Sequence, residues 1–190
     1  GRDPVGELLG FSIQILDTLA HAARYFGKYR SFVTLSPFCH GNLHSDGVVI
    51  TQDGRALLAH WTETHHHSLT DQLRPYQSPE FHARSEFKHL RGAASDVYSL
   101  GVLLWYALEG SIPFGSGIYP GGAVVPLEEI KKGKPNGGGR APQELRETLS
   151  RMLAHAPRDR PPIDELLAHF GTLRAGLRAG VSIVPFSRRA

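Results

Sequence analysis

The chain has 190 residues, with 21 Lys and Arg against 18 Asp and Glu, so its formal net charge is +3 before any of its 11 histidines protonates. With 41% hydrophobic and 21% charged residues it has the make-up of one ordinary globular domain, which excludes a collagenous, disordered or membrane-spanning chain. The longest apolar run, residues 97–108 and broken by Ser99, falls well short of the roughly 20 residues a bilayer demands. Cys39 is the single cysteine, so neither an intrachain disulfide nor a cysteine-built zinc site is available, and a reducing, cytoplasmic setting is expected. The small basic excess is spread along the chain, which argues against nucleic acid as a partner. Gly1-Arg2-Asp3-Pro4 shows no signal pattern, and the chain reads as a piece of something longer.

Taken in order, Asp3-Pro4 predicts an N-cap and first-turn proline for a short helix to about Leu9. From Ser12 to about Phe26, Ile13, Leu16, Leu19, Ala20, Ala23 and Phe26 recur at helical spacing and predict one buried face. Val48-Val49-Ile50 and Ala56-Leu57-Leu58-Ala59 flank Asp53-Gly54 and predict a β-hairpin. Residues 62–80 carry no sustained period and predict a surface loop. Asp96 to Leu108 is apolar nearly all round and predicts a buried central helix with Trp105 and Tyr106 in the core. Gly110 to Gly122 is turn-rich, Leu127 to Lys132 predicts a short helix, and Lys134 to Pro142 predicts a Gly-rich connector. Two further helices are expected over Pro142–Leu153 and Pro162–Leu173, each opening on a proline.

Four landmarks in order carry a resemblance. His40-Gly41-Asn42-Leu43-His44-Ser45-Asp46-Gly47 resembles the catalytic loop of protein kinases, and Ser78-Pro79-Glu80 resembles the Ala-Pro-Glu that closes their activation segment. Residues 95–105, from Ser95-Asp96-Val97-Tyr98-Ser99 to Trp105, resemble the central helix of the kinase C-terminal lobe, in the style of the tyrosine-kinase-like branch. Pro157-Arg158-Asp159-Arg160-Pro161 is similar to the Arg-Pro landmark before the last helix, and Pro113-Phe114 follows the central helix as in the family. The resemblance implies a mainly α fold: a protein-kinase-like C-terminal lobe over residues 1–173, with one or two short β-hairpins at the catalytic loop and a tail or linker over 174–190.

The departures from the family's pattern fall on its chemistry. In kinases the catalytic-loop Asp accepts the substrate proton, while an Asn and the Asp of Asp-Phe-Gly hold magnesium. By the resemblance these positions are Asn42, Gly47 and His60: an amide, no side chain, and an imidazole where magnesium wants oxygen. His44 stands for the catalytic-loop Lys and Gly41 for the preceding Arg. The structural positions are kept: Glu80 and Arg160 as an ion pair, Asp96 as acceptor from the catalytic-loop backbone, His40 as the ring beneath that loop, and Trp61 as the aromatic after His60. The Gly-rich loop and strand Lys of an N-terminal lobe do not occur in these residues, and the lobe is expected upstream.

The resemblance therefore implies a pseudokinase, a protein-interaction or allosteric module with no catalytic, metal or cofactor site of its own and with a protein partner rather than nucleic acid or membrane. The alternative is a fragment of an atypical active kinase that uses ATP and magnesium, with Asp46 or Glu63 replacing a lost carboxylate. A third possibility is an incomplete product exposing apolar surface that the missing lobe covers. His65-His66-His67, with Glu63, His60 and His44 near in sequence, could ligate a transition metal, against the plainer reading of a solvated loop. Cys39, between Phe38 and His40, reads as a buried inert thiol.

Overall fold

The computed structural model describes residues 3–26, 38–61, 74–81, 90–114 and 142–179. Among these are four α-helices and a two-stranded sheet that packs on the first of them: α1 (Pro4–Phe26), β1 (Val48–Ile50), β2 (Ala56–Leu58), α2 (Ala93–Glu109), α3 (Gln143–Met152) and α4 (Ile163–Ala179). The described residues are thus mainly helical with one antiparallel hairpin.

α1 opens where Asp3 and Pro4 place it. The Asp3 carboxylate accepts the Gly6 N–H at 3.0 Å, and the Asp3 carbonyl accepts that of Glu7 at 3.0 Å. The sequence predicts a break near Gly10, but the helix runs through. An interior glycine costs about 1 kcal/mol relative to alanine, and packing on both sides of it outweighs that: Leu9, Ile15, Leu16 and Leu19 are all buried. A Cβ at Gly10 would stand 2.8 Å from the Arg174 guanidinium, so the side chain of Arg174 from α4 lies against α1 at this glycine. Ser12 and Thr18 turn their hydroxyls back onto the carbonyls of Leu8 and Gln14. Phe26, expected on the buried face, is 46% exposed.

The hairpin pairs Val48 with Leu58, Val49 with Leu57 and Ile50 with Ala56. Its turn closes through Thr51 N–H to Arg55 carbonyl and Gly54 N–H to Thr51 carbonyl, with Gly54 at φ 78°. The Gln14 side chain clamps this hairpin to α1, donating to the Gly54 carbonyl at 3.2 Å and accepting the Ala56 N–H at 2.9 Å.

The end of the expected surface loop is instead built inward. Single 3₁₀ turns occupy Arg74–Tyr76 and Pro79–Phe81, and Tyr76, Ser78 and Glu80 are buried. Backbone and Glu80 bonds to the core decide this, which residue period cannot register. The central helix begins earlier than expected, at Ala93, because Ser95 accepts the Gly92 N–H with its hydroxyl and donates its own N–H to the Gly92 carbonyl. It stops at Gly110, which takes φ 73° and donates to Tyr106. Trp105 is in the core, whereas Tyr106 is 45% exposed. α4 continues past Leu173 to Ala179, because Leu173 is buried and Leu177 packs on the core along the length α1 provides. The expected helix at 127–132 and the connector at 134–141 lie outside the described residues.

The core gathers Leu9, Leu16 and Leu19 of α1, Tyr98, Leu100 and Val102 of α2, Leu149 and Met152 of α3, and Leu166 and Phe170 of α4. α2 and α3 approach closely at Gly101, where a Cβ would lie 3.1 Å from Met152 Cβ and 3.3 Å from Leu153 Cδ2. Gly101→Val should therefore overpack this crossing and cost about 1–3 kcal/mol, read as a lower urea midpoint at unchanged m.

Candidate functional site

Two buried polar nodes hold the segments that resemble kinase landmarks. The first is centred on Arg160. Its Nε donates to the Ala154 carbonyl at 2.8 Å; its Nη1 donates to Glu80 Oε1 at 2.7 Å and the Ala94 carbonyl at 2.8 Å; its Nη2 donates to Glu80 Oε2 at 2.8 Å and the His155 carbonyl at 3.0 Å. Every N–H of the guanidinium is engaged, and both side chains of the pair are fully buried. The Tyr98 ring lies beneath the cation at 4.9 Å. Ser95 joins the node by donating its hydroxyl to Glu80 Oε1 at 2.8 Å. Arg91 caps it from outside, with Nε bound to the Glu80 carbonyl and its guanidinium 4.6 Å from the Phe81 ring.

The second node is Asp96. Near the start of α2 its two carboxylate oxygens accept the backbone N–H groups of His40 and Gly41, each at 2.8 Å. Gly41 adopts φ 71°, a left-handed conformation that favours glycine. Burial raises the Asp96 carboxyl to about 7, against the two N–H bonds that lower it. His40 is wholly buried: Nε2 lies 3.0 Å from the Ala59 carbonyl, and Nδ1 accepts the Asn42 N–H at 3.3 Å. These partners assign the neutral ring with its proton on Nε2. Burial accordingly pulls the His40 pKa down to about 4, only partly opposed by the bond to Ala59. Trp61 packs on His40 with ring centroids 4.5 Å apart and donates Nε1–H to the Leu58 carbonyl.

These nodes fix the loop over residues 40–47 against the end of β2. Gly47 accepts the Ala59 N–H at 2.9 Å, and a Cβ at Gly47 would stand 3.5 Å from His44 Nε2. The His44 and His60 rings stack with centroids 5.7 Å apart, and His60 takes φ 64°, rare for a residue with a side chain. Gly47, His44 and His60 are therefore neighbours. Asn42 joins this loop through His40, and its buried Nδ2 has no hydrogen-bond partner among the described residues. Asp46 is exposed and accepts the Ser45 hydroxyl at 3.2 Å. Glu63 and His65-His66-His67 lie outside the described residues, and no group of three potential metal ligands occurs among the described ones. Burial pushes the Cys39 thiol up to about 12, so it stays protonated and unreactive at neutral pH.

Sequence reasoning missed Ser95 as a bridge, Tyr98 under the cation, Gln14 as the hairpin clamp and the stacking of His44 on His60. Each depends on residues far apart in the chain, and only the adjacency of Ser95 to Asp96 offered a local hint.

No family model matches the chain. Over 157 residues, 77% of this chain and 32% of the relative, it is 29% identical to Mixed lineage kinase domain-like protein from Homo sapiens. Over 101 residues, 48% of this chain and 14% of the relative, it is 36% identical to Leucine-rich repeat receptor-like protein kinase PXC1 from Arabidopsis thaliana. The chain thus spans a third or less of the length of either relative, and the two matches support a distant place in the kinase-like superfamily.

Removing one partner of the Glu80–Arg160 pair strands a buried charge. Glu80→Gln or Arg160→Met should each cost about 3–5 kcal/mol, whereas the double variant should lose less than the sum in a double-mutant cycle of chemical denaturation. His40 yields a pH dependence. Its folded pKa lies below its ordinary value, so the unfolded chain binds a proton that the folded ring refuses, and stability is lost as pH falls from about 6.5 to about 4. Asp96 acts in the opposite direction over the same window, because its raised pKa makes the folded state bind the extra proton. Subtracting a His40→Gln profile from that of the native protein removes the Asp96 contribution common to both. The remaining His40 loss should be about 3 kcal/mol, the shift from 6.5 to about 4 at about 1.4 kcal/mol per unit.

Proposed function

We propose that this chain is a catalytically impaired, kinase-like unit that serves as a protein-interaction or allosteric module in the cytoplasm, continuous with an N-terminal lobe encoded upstream. The supporting observation is a contrast within one loop. Asp96 and Arg160 hold the loop and its surroundings with a complete set of hydrogen bonds. The positions that resemble the proton acceptor and metal ligands are Asn42, Gly47 and His60, which offer an amide, bare backbone and an imidazole packed on His44. Magnesium is a hard cation that takes carboxylate, carbonyl and phosphate oxygens. This donor set does not fit it, and no step through magnesium or ATP is assigned. An amide also lacks the basicity to take a hydroxyl proton near neutral pH.

Thermal unfolding of the full-length product, its upstream lobe included, with ATP, in magnesium and in EDTA, tests the reading. A ligand held at 100 times its Kd adds about 2.7 kcal/mol to a native state it prefers, several degrees in Tm for a domain this size. The expected magnesium-dependent change is below about 1 °C. A clear magnesium-dependent rise, with phosphate transfer abolished by Asp46→Ala, would instead establish the active-kinase reading.

A further inference from the structure

A groove of about 560 Å³ opens where the C-terminal end of α1, the first turn of α2 and the segment leading into α4 meet. Its floor is apolar: Ala20 and Ala23 of α1, Val97 of α2, and Pro157, Pro161 and Ile163 beside α4. Small residues on the helices leave the depth, and prolines with fixed φ hold the far wall. The charges at the groove are uneven. Arg24 and Arg158 are exposed at its lip, and the carboxylate of Asp164, also exposed, is the only acid among its lining residues. Arg160 lines it as well, but its charge is matched by Glu80 and its N–H groups are engaged. The net balance at the lip is one positive charge; Arg24 spends its Nε on the Ala20 carbonyl at 3.3 Å, which leaves its two terminal nitrogens, with the Arg158 guanidinium, to meet carboxylates.

We propose that this groove docks an acidic peptide segment of a partner protein, an aliphatic side chain resting on the Ala20, Val97 and Ile163 floor and flanking carboxylates pairing with Arg24 and Arg158. The volume falls within the range that accepts small ligands and anchoring side chains. An apolar floor with only two flanking cations is unlike the continuous basic track that a nucleic-acid backbone requires. Asp164 adds selectivity, since it repels an acid placed directly over the start of α4 and directs the carboxylates toward the two arginines. The proposal rests on the interaction-module reading, for which it names the docking surface and the chemistry of the partner.

The probe is a capped, fluorescein-labelled peptide alternating Glu and Leu, titrated with the full chain by fluorescence anisotropy at low salt. Lys-Leu and Glu-Ser counterparts serve as controls. The Glu-Leu peptide should bind at least about tenfold more tightly than either control, since both the charge and the apolar anchor are needed. Arg24→Glu with Arg158→Glu should weaken it by about tenfold or more, and Asp164→Asn should tighten it about twofold. All three positions are exposed, and an unchanged circular dichroism spectrum establishes that the variants fold. Ala23→Trp, which fills the groove, should abolish binding of the Glu-Leu peptide. Equal binding of the three peptides, indifference to the double charge reversal, or no saturation up to millimolar protein would each overturn the proposal. Self-association abolished by the same reversal would also overturn it, assigning the groove to a second copy of the chain. None of these outcomes bears on magnesium and ATP, so failure of the groove is distinguishable from failure of the module reading.

Discussion

A guanidinium with every N–H bonded in a dry interior is the constraint on which the remaining packing depends. Taking Arg160 and Glu80 out of water carries a desolvation penalty of several kcal/mol per ion, and the fold offsets it by aiming three carbonyls, two carboxylate oxygens and one aromatic face at a single cation. Those partners come from distant parts of the chain: the 3₁₀ turn at Pro79–Phe81, the first turn of α2, and the link from α3 to α4. The 3₁₀ turn and the link have no long regular element of their own and are tied through Arg160 to α2. The same link, held from within by Arg160, supplies Pro157 and Pro161 to the outer groove, so an inner electrostatic node shapes an outer apolar surface.

Asp96 performs a parallel task for the loop over residues 40–47. One carboxylate replaces the backbone partners that an irregular segment lacks, and it can do so only because Gly41 accepts a left-handed backbone. His40 extends the arrangement to the end of β2 with one ring nitrogen donating and the other accepting. A neutral imidazole has one donor and one acceptor, which matches what the site asks of it and leaves no place for a second proton. The loop is therefore ordered by two side chains whose hydrogen bonds are spent on the backbone around them.

Precise placement makes the identity of the other loop residues consequential. Gly47, His44 and His60 are brought together beside a strained backbone at His60, and non-glycine residues in that conformation cost of order 1 kcal/mol or more. Strain of this kind persists only where surrounding contacts over-determine it. Here those contacts hold an imidazole against an imidazole and a bare glycine. The distant kinase-like relatives share part of this chain's sequence.

The sequence by itself determined the local elements whose cause is local. Asp3 and Pro4 start α1, Asp53-Gly54 turns the hairpin, and the apolar run after Asp96 makes a buried helix, because caps, turns and periodicity act within a few residues. The order of short motifs also singled out His40, Glu80, Asp96 and Arg160, although not which atoms they would use. Tertiary structure alone decided what depends on distant partners. α1 passes through Gly10 because α4 packs there, α4 extends to Ala179 because α1 lies alongside it, and the segment ending at Glu80 is buried because Arg160, 80 residues away, draws it in. Phe26 and Tyr106 carry apolar rings that period places inside, yet both are exposed, since a helical face is buried only as far as another element reaches to cover it.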